Sequence, residues 1–143
     1  MPDVILIYLG TNDWANGVDL CKFEDGYAMM LRQICENYKN AEIWCCTLHS
    51  SYISDSNFIF PEKCAGISFK EYNKVIRKVV EKHQCKLIDF EKYKFSYNSI
   101  DGSHPNEQGM ETIAEIVIRE MFKKSKLLNS KTSFLQRIKK ILK

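Results

Sequence analysis

Apolar residues fall in two rhythms along this chain, and the alternation between them predicts its architecture. Val4-Ile5-Leu6-Ile7-Tyr8-Leu9 is continuously apolar and rich in β-branched and aromatic side chains. That is the composition of a strand buried on both faces of a parallel sheet. Residues 11–22 are mostly polar and read as a loop. Tyr27, Met30, Leu31, Ile34, Cys35 and Tyr38 then recur at the spacing of one helical face, predicting a helix over residues 23–38. Residues 42–48 return to a strand-like apolar run, and residues 49–67, rich in Ser and carrying Asn57, Pro61 and Gly66, read as a long loop. Ser68 followed by Glu71 is a capping-box pattern. It opens a helix with Phe69, Tyr72, Val75, Ile76, Val79 and Val80 on its apolar face. Residues 86–90 give a third short strand. Pro105 suits a helical first turn, and a helix from there to about Lys123 would bury Met110, Ile113, Ala114, Val117, Ile118 and Met121.

Strands alternating with amphipathic helices imply an α/β fold with a parallel sheet. In such sheets ligands bind beyond the carboxyl ends of the strands. Residues 10–13, 49–66 and 101–104 each follow a predicted strand, so all three are expected on that rim.

Charge divides the chain. Residues 1–124 hold 15 Lys/Arg against all 18 Asp/Glu, a net of −3, whereas residues 125–143 carry six basic residues and no acid. The expected organisation is therefore one domain over residues 1–124 with a basic tail over 125–143. A mildly acidic body gives no reason to expect nucleic-acid binding, which wants a basic face. In the tail, Phe134, Leu135, Ile138, Ile141 and Leu142 share a helical face, with Arg137, Lys139, Lys140 and Lys143 elsewhere. The pattern fits either a helix lying on an anionic membrane surface or a short terminal helix that docks on the core or frays. No run reaches the roughly 18 apolar residues of a membrane span, and residues 1–20 lack the basic start and cleavage site of a secretory signal. The six cysteines include no Cys-x-x-Cys pair, so a zinc site is not expected. Buried reduced thiols account for them, and their even number leaves disulfides open in an exported protein.

Two short blocks carry the candidate chemistry. Asp101 and His104 stand three residues apart just before the last helix, close enough for the carboxylate to reach the imidazole. A carboxylate on Nδ1–H would leave Nε2 as a base; a plain helix start capped by Asp101 or Ser103 is the alternative. Gly10 and Asn12 follow the first strand. Gly10 permits a tight exit, and the Asn12 amide could donate to an oxyanion or simply serve the turn. Gly10, Trp14 and His49 are the candidate substrate contacts beside them.

Taken together, Gly10-Thr11-Asn12-Asp13 and Asp101-Gly102-Ser103-His104-Pro105-Asn106, with Gly109 and the pair Tyr72-Asn73, resemble the SGNH (GDSL-type) hydrolase family over residues 2–124. The resemblance implies a three-layer, flavodoxin-like fold and hydrolysis of an ester, an acyl or acetyl group on a sugar, lipid or small molecule, without a cofactor. It implies that Asn12 is an oxyanion-hole donor, His104 the base and Asp101 its partner. The family's nucleophilic Ser and oxyanion Gly come from strands preceding the one at 4–9, and no counterpart stands before Gly10. The expectation is therefore an SGNH domain lacking its first strands, nearly inactive by itself, and prone to dimerise through strand 4–9. A non-catalytic binding module and an acyltransferase acting on a polysaccharide are the alternatives.

Overall fold

The computed structural model describes residues 1–49, 52–54, 63–93, 97–100 and 104–124. Residues 50–51, 55–62, 94–96, 101–103 and 125–143 lie outside the described residues. The elements are β1 (Val4–Ile7), α1 (Thr11–Ala15), α2 (Leu20–Asn37), β2 (Glu42–Cys46), β3 (Tyr52–Ser54), β4 (Lys63–Cys64), β5 (Ile67–Ser68), α3 (Phe69–Lys82), β6 (Lys86–Ile88), β7 (Tyr97–Ser99) and α4 (Glu107–Lys124), with a 3-10 turn at Phe90–Lys92.

The three strands expected from the apolar runs form one parallel sheet in the order β1-β2-β6. Ile5 pairs with Ile43, Ile7 with Cys45, and Cys45 in turn with Leu87. A parallel β3–β7 pair and a small β4–β5 hairpin arise within segments that carry no strand pattern. The hairpin turns on Ala65 (φ 47°) and Gly66 (φ 80°), the paired positive φ of a two-residue turn whose twist matches its strands.

Side chains on the two faces of the sheet build two cores. Ile7, Ile43 and Cys45 pack with Phe23, Tyr27 and Leu31 of α2 and with the whole expected apolar face of α3. On the opposite face Trp44, Cys46 and Ile88 pack with Phe90 and with Ile116 and Val117 of α4. Among the described residues no helix is long and apolar enough to cross a membrane.

Three local expectations are corrected. The stretch 11–22 is not a plain loop. Thr11–Ala15 is helical, and α2 begins at Leu20 because Asp19 caps it, accepting from the Cys21 and Lys22 amides at 2.8 and 3.3 Å. The last helix starts two residues after Pro105. Asn106 is the residue that caps it, its Oδ1 accepting from the Gly109 amide at 2.9 Å, while Pro105 bridges back to Ser99. The buried face of α4 is rotated accordingly: Gly109, Ile116, Val117 and Glu120 are buried, Ala114 is exposed, and Met110 is 55% exposed. Finally, β1 is not buried on both faces. Ile7 is buried, but Leu6, pointing the other way, is 45% exposed.

Candidate active site

β1, β2 and β6 run parallel, so their exits lie on one rim. The first exit turns at Gly10, whose φ of 127° is closed to an ordinary side chain. Space is tight as well, since a Cβ there would stand 3.1 Å from Phe23 Cζ and the ring would have to yield by a few tenths of an ångström. The Gly10 carbonyl accepts from the Trp14 amide at 3.0 Å and closes α1. Asn12 therefore sits in the first turn of a helix that starts directly at the rim. Its carbonyl takes the Asn16 amide at 3.0 Å and the Asn16 side chain at 2.8 Å. Its own side chain is exposed and makes no hydrogen bond among the described residues.

Gly10 and Trp14, expected as substrate contacts, are both turned inward. Gly10 is buried against Phe23 and Leu48. Trp14 is 3% exposed, with its indole N–H donating to the Ile67 carbonyl at 2.8 Å and its ring edge-on to Phe69 at 4.5 Å. An indole so enclosed braces α1 and leaves no face for a ligand.

The second exit is held by Asn73, a residue of α3 that is 1% exposed. Its Oδ1 accepts from the Leu48 amide at 2.7 Å and its Nδ2 donates to the Leu48 carbonyl at 3.0 Å. One side chain thus replaces a strand partner for the residue just before His49. Thr47 extends the sheet by donating its amide to the Ile88 carbonyl at 3.1 Å. Its hydroxyl donates to Asp89 Oδ1 at 3.1 Å. Arg77 of α3 clamps both Asp89 oxygens, Nε to Oδ2 at 3.0 Å and Nη2 to Oδ1 at 2.7 Å, and also pairs with Glu91 at 2.5 Å. Burial pushes the Asp89 carboxyl up, but the Arg77 guanidinium and the Thr47 hydroxyl outweigh it and hold the carboxyl below its usual range. The network locks the second exit to the third. The pair Tyr72-Asn73 was visible in the sequence as a motif; an Asp directly after an apolar strand, with a basic residue on the preceding helix, was the signal for the rest.

The third exit leads to Phe90, which is 1% exposed. Tyr8 from the first exit and His49 from the second lie against its ring, with centroids at 5.2 and 6.5 Å. The three exits thus meet at one aromatic contact, and His49 stands half-buried on the rim beside it.

His104 is exposed, and its backbone is fixed. Its carbonyl accepts from the Ile100 amide at 2.8 Å and from the Ser99 hydroxyl at 2.9 Å. Ser99 ends β7, and β7 pairs with β3, which follows His49 in the chain. The His104 turn is thereby tied to the segment leaving β2. Asp101 and Ser103 lie outside the described residues, as do Ser50 and Ser51.

An open groove of about 500 Å³ runs beside β6, lined by Arg77, Val80, Glu81, Cys85, Leu87, Asp89 and Lys92. Asn12, His49 and His104 take no part in it. Among the described residues no group of three or more His, Cys, Asp or Glu is arranged to hold a metal ion.

Comparison with known proteins agrees with this architecture. Residues 1–112 match a family described as the GDSL-like Lipase/Acylhydrolase family. No curated protein matches the sequence. Among solved structures, a protein from Lactobacillus plantarum superposes with a TM-score of 0.74 at 15% identity, covering 85% of this chain and 67% of that one. A family two carbohydrate esterase from Clostridium thermocellum, in complex with cellohexaose, gives 0.65 at 22% identity, covering 86% of this chain and 36% of that one. A putative GDSL-like lipase from Bacteroides ovatus gives 0.62 at 23% identity, covering 85% of this chain and 55% of that one. The chain thus spans from about a third to two thirds of these structures.

Proposed function

We propose, from the premise that this chain belongs to the GDSL-like lipase/acylhydrolase family, that its rim serves the hydrolysis of an acyl or acetyl ester carried by a carbohydrate. The observation that carries the reading is Asn12: an exposed amide with no partner among the described residues, set at the first turn after a glycine whose positive φ strains any other side chain. Such a donor has its amide N–H available on the rim to meet an oxyanion. His104 accepts the proton of a serine nucleophile and returns it to the leaving alcohol, and Asp101 holds the imidazole in the tautomer this needs. His49 faces the substrate on the same rim. The carbohydrate esterases among the structural relatives support the sugar ester as substrate.

Residues 1–9, before the Asn12 block, contain no serine to serve as the nucleophile of this reading. Residues 1–143 alone should therefore hydrolyse p-nitrophenyl acetate and acetylated xylan negligibly, and a form that includes a serine-bearing upstream segment should hydrolyse both. In that form Asn12→Ala should lower kcat by about 10²–10³, the scale of one oxyanion donor, and His104→Ala should abolish turnover. Robust turnover by residues 1–143 that is lost in Ser50→Ala or Ser51→Ala would overturn the external nucleophile. Unchanged kcat in Asn12→Ala would overturn the oxyanion role.

A further inference from the structure

Six cysteines are free in this structure, and two of them are nearly in contact although 50 residues separate them. Cys35 lies in the last turns of α2 and Cys85 directly before β6, with their sulfurs 3.8 Å apart. Cys85 is fixed from its backbone, its amide donating to the Val80 carbonyl at 3.0 Å. Both thiols are partly exposed, and Cys85 also lines the open groove beside β6. Cys45, the neighbouring thiol on β2, is 0% exposed within the core. The buried Tyr27 hydroxyl beside it has no hydrogen-bond partner of good geometry among the described residues. A reagent arriving from solvent therefore reaches Cys85 or Cys35 and not Cys45.

We propose that Cys35 and Cys85 are a redox pair that closes to an intramolecular disulfide when a low-molecular-weight disulfide is the oxidant. The reagent R–S–S–R enters along the groove. The Cys45 sulfur and burial hold the Cys85 thiol above the ordinary thiol range, so Cys85 first gives its proton to solvent base. The thiolate then attacks one of the reagent's sulfurs, forming the mixed disulfide and expelling R–S⁻, which takes up that proton. The Cys35 thiolate then attacks the Cys85 sulfur, the Cys35–Cys85 bond forms, and the second R–SH leaves with the proton from Cys35. Two thiols are oxidised and one reagent disulfide is reduced to two thiols. Sulfurs at 3.8 Å must approach to roughly 2.05 Å for the bond.

The bond would staple the end of α2 to the start of β6. That end of the sheet is opposite the rim, so it would stabilise the fold without touching Asn12 or His104. A loop of this length removes considerable freedom from the unfolded chain, and the melting temperature should rise by about 5–10 °C.

The test uses the reduced chain incubated with oxidised glutathione, then alkylated and digested with trypsin without reduction. Peptides 33–39 and 83–86 each carry one cysteine, Cys35 and Cys85, and differ from peptide 40–63, which carries Cys45 and Cys46. The expected result is 33–39 linked to 83–86, two thiols lost on titration of the unfolded chain, and a higher melting temperature that dithiothreitol reverses. Cys35→Ser and Cys85→Ser should each lose the linked peptide and the rise, with circular dichroism reporting that they fold. Retention of all six thiols, linkage to peptide 40–63, or only intermolecular dimers would each overturn the proposal.

Discussion

The two faces of the central sheet are treated very differently. Under α2 and α3, the side chains of β1 and β2 meet a continuous core in which Leu31, Tyr72 and Ile76 are completely enclosed. On the other face α4 covers Trp44, Cys46 and Ile88, while Val4 is only partly covered and Leu6 stands 45% exposed. Alternation along a strand puts Val4 and Leu6 on one side and Ile5 and Ile7 on the other. The difference therefore arises within a single strand of uniform apolar composition. It teaches that hydrophobic pattern states what a residue suits, whereas burial depends on which element lies over it.

The contrast can be broken most directly by truncating a side chain on each face. Leu31→Ala opens a cavity in a fully enclosed site and should cost about 2–5 kcal/mol. Leu6→Ala removes atoms that are already half in water and should cost less than about 1 kcal/mol. Urea unfolding of the two variants measures both; equal losses would mean that the α4 side is as well packed as the α2–α3 side.

A second difference is polar. The α3 side carries the tie from Arg77 to Asp89 and Thr47, which no residue on the exposed half of β1 matches among those described. The Asp89 carboxyl lies below its ordinary range when folded, despite its burial. A depressed carboxyl contributes stability that is present above its unfolded value, about 3.9, and is lost as pH falls through the folded value. Asp89→Asn should therefore melt lower at neutral pH, and the gap to the parent chain should narrow below about pH 4. Melting temperatures from pH 2 to pH 7 decide it. A constant gap would show that Asp89 titrates alike in the folded and unfolded chain.

Much of this was legible before the structure. β1 and β2 were marked by apolar runs of four or more residues, and α3 by six apolar positions that are all buried. Both are long or dense patterns with one period. β6, with three residues, was marked only by its place after α3. What escaped is short or settled by tertiary contact. α1 has five residues and forms because Gly10 can turn into it. β3, β4, β5 and β7 have two or three residues each, too few to show a period. The start of α4 was misplaced because Pro105 and Asn106 both suit a helix opening, and only the Ser99–Pro105 bridge decides between them. At the candidate site, the shared rim of the strand exits followed from the parallel order. The direction of Trp14 did not, because an aromatic beside a rim loop can face either way, and here the Ile67 carbonyl holds the indole inward.

The smallest expected effect on stability tests what the exposed half of β1 does. Leu6 is 45% exposed on the side of Val4, and β1 is an edge strand whose one partner among the described strands is β2. An edge strand with apolar side chains and unpaired backbone groups templates pairing with another chain. Residues 1–143 should therefore self-associate with rising concentration, a second copy adding to the sheet at β1. Leu6→Lys places a charge on that strip without emptying the α2–α3 core, so stability should change by no more than about 0.5 kcal/mol while association weakens. Size-exclusion chromatography with light scattering across a concentration series reads the assembly, and a melt of the same samples reads the fold. If the parent chain stays monomeric at 16.7 kDa throughout, the exposed half of β1 is a tolerated surface and not a pairing edge. Association that persists unchanged in Leu6→Lys would move the contact elsewhere on the molecule.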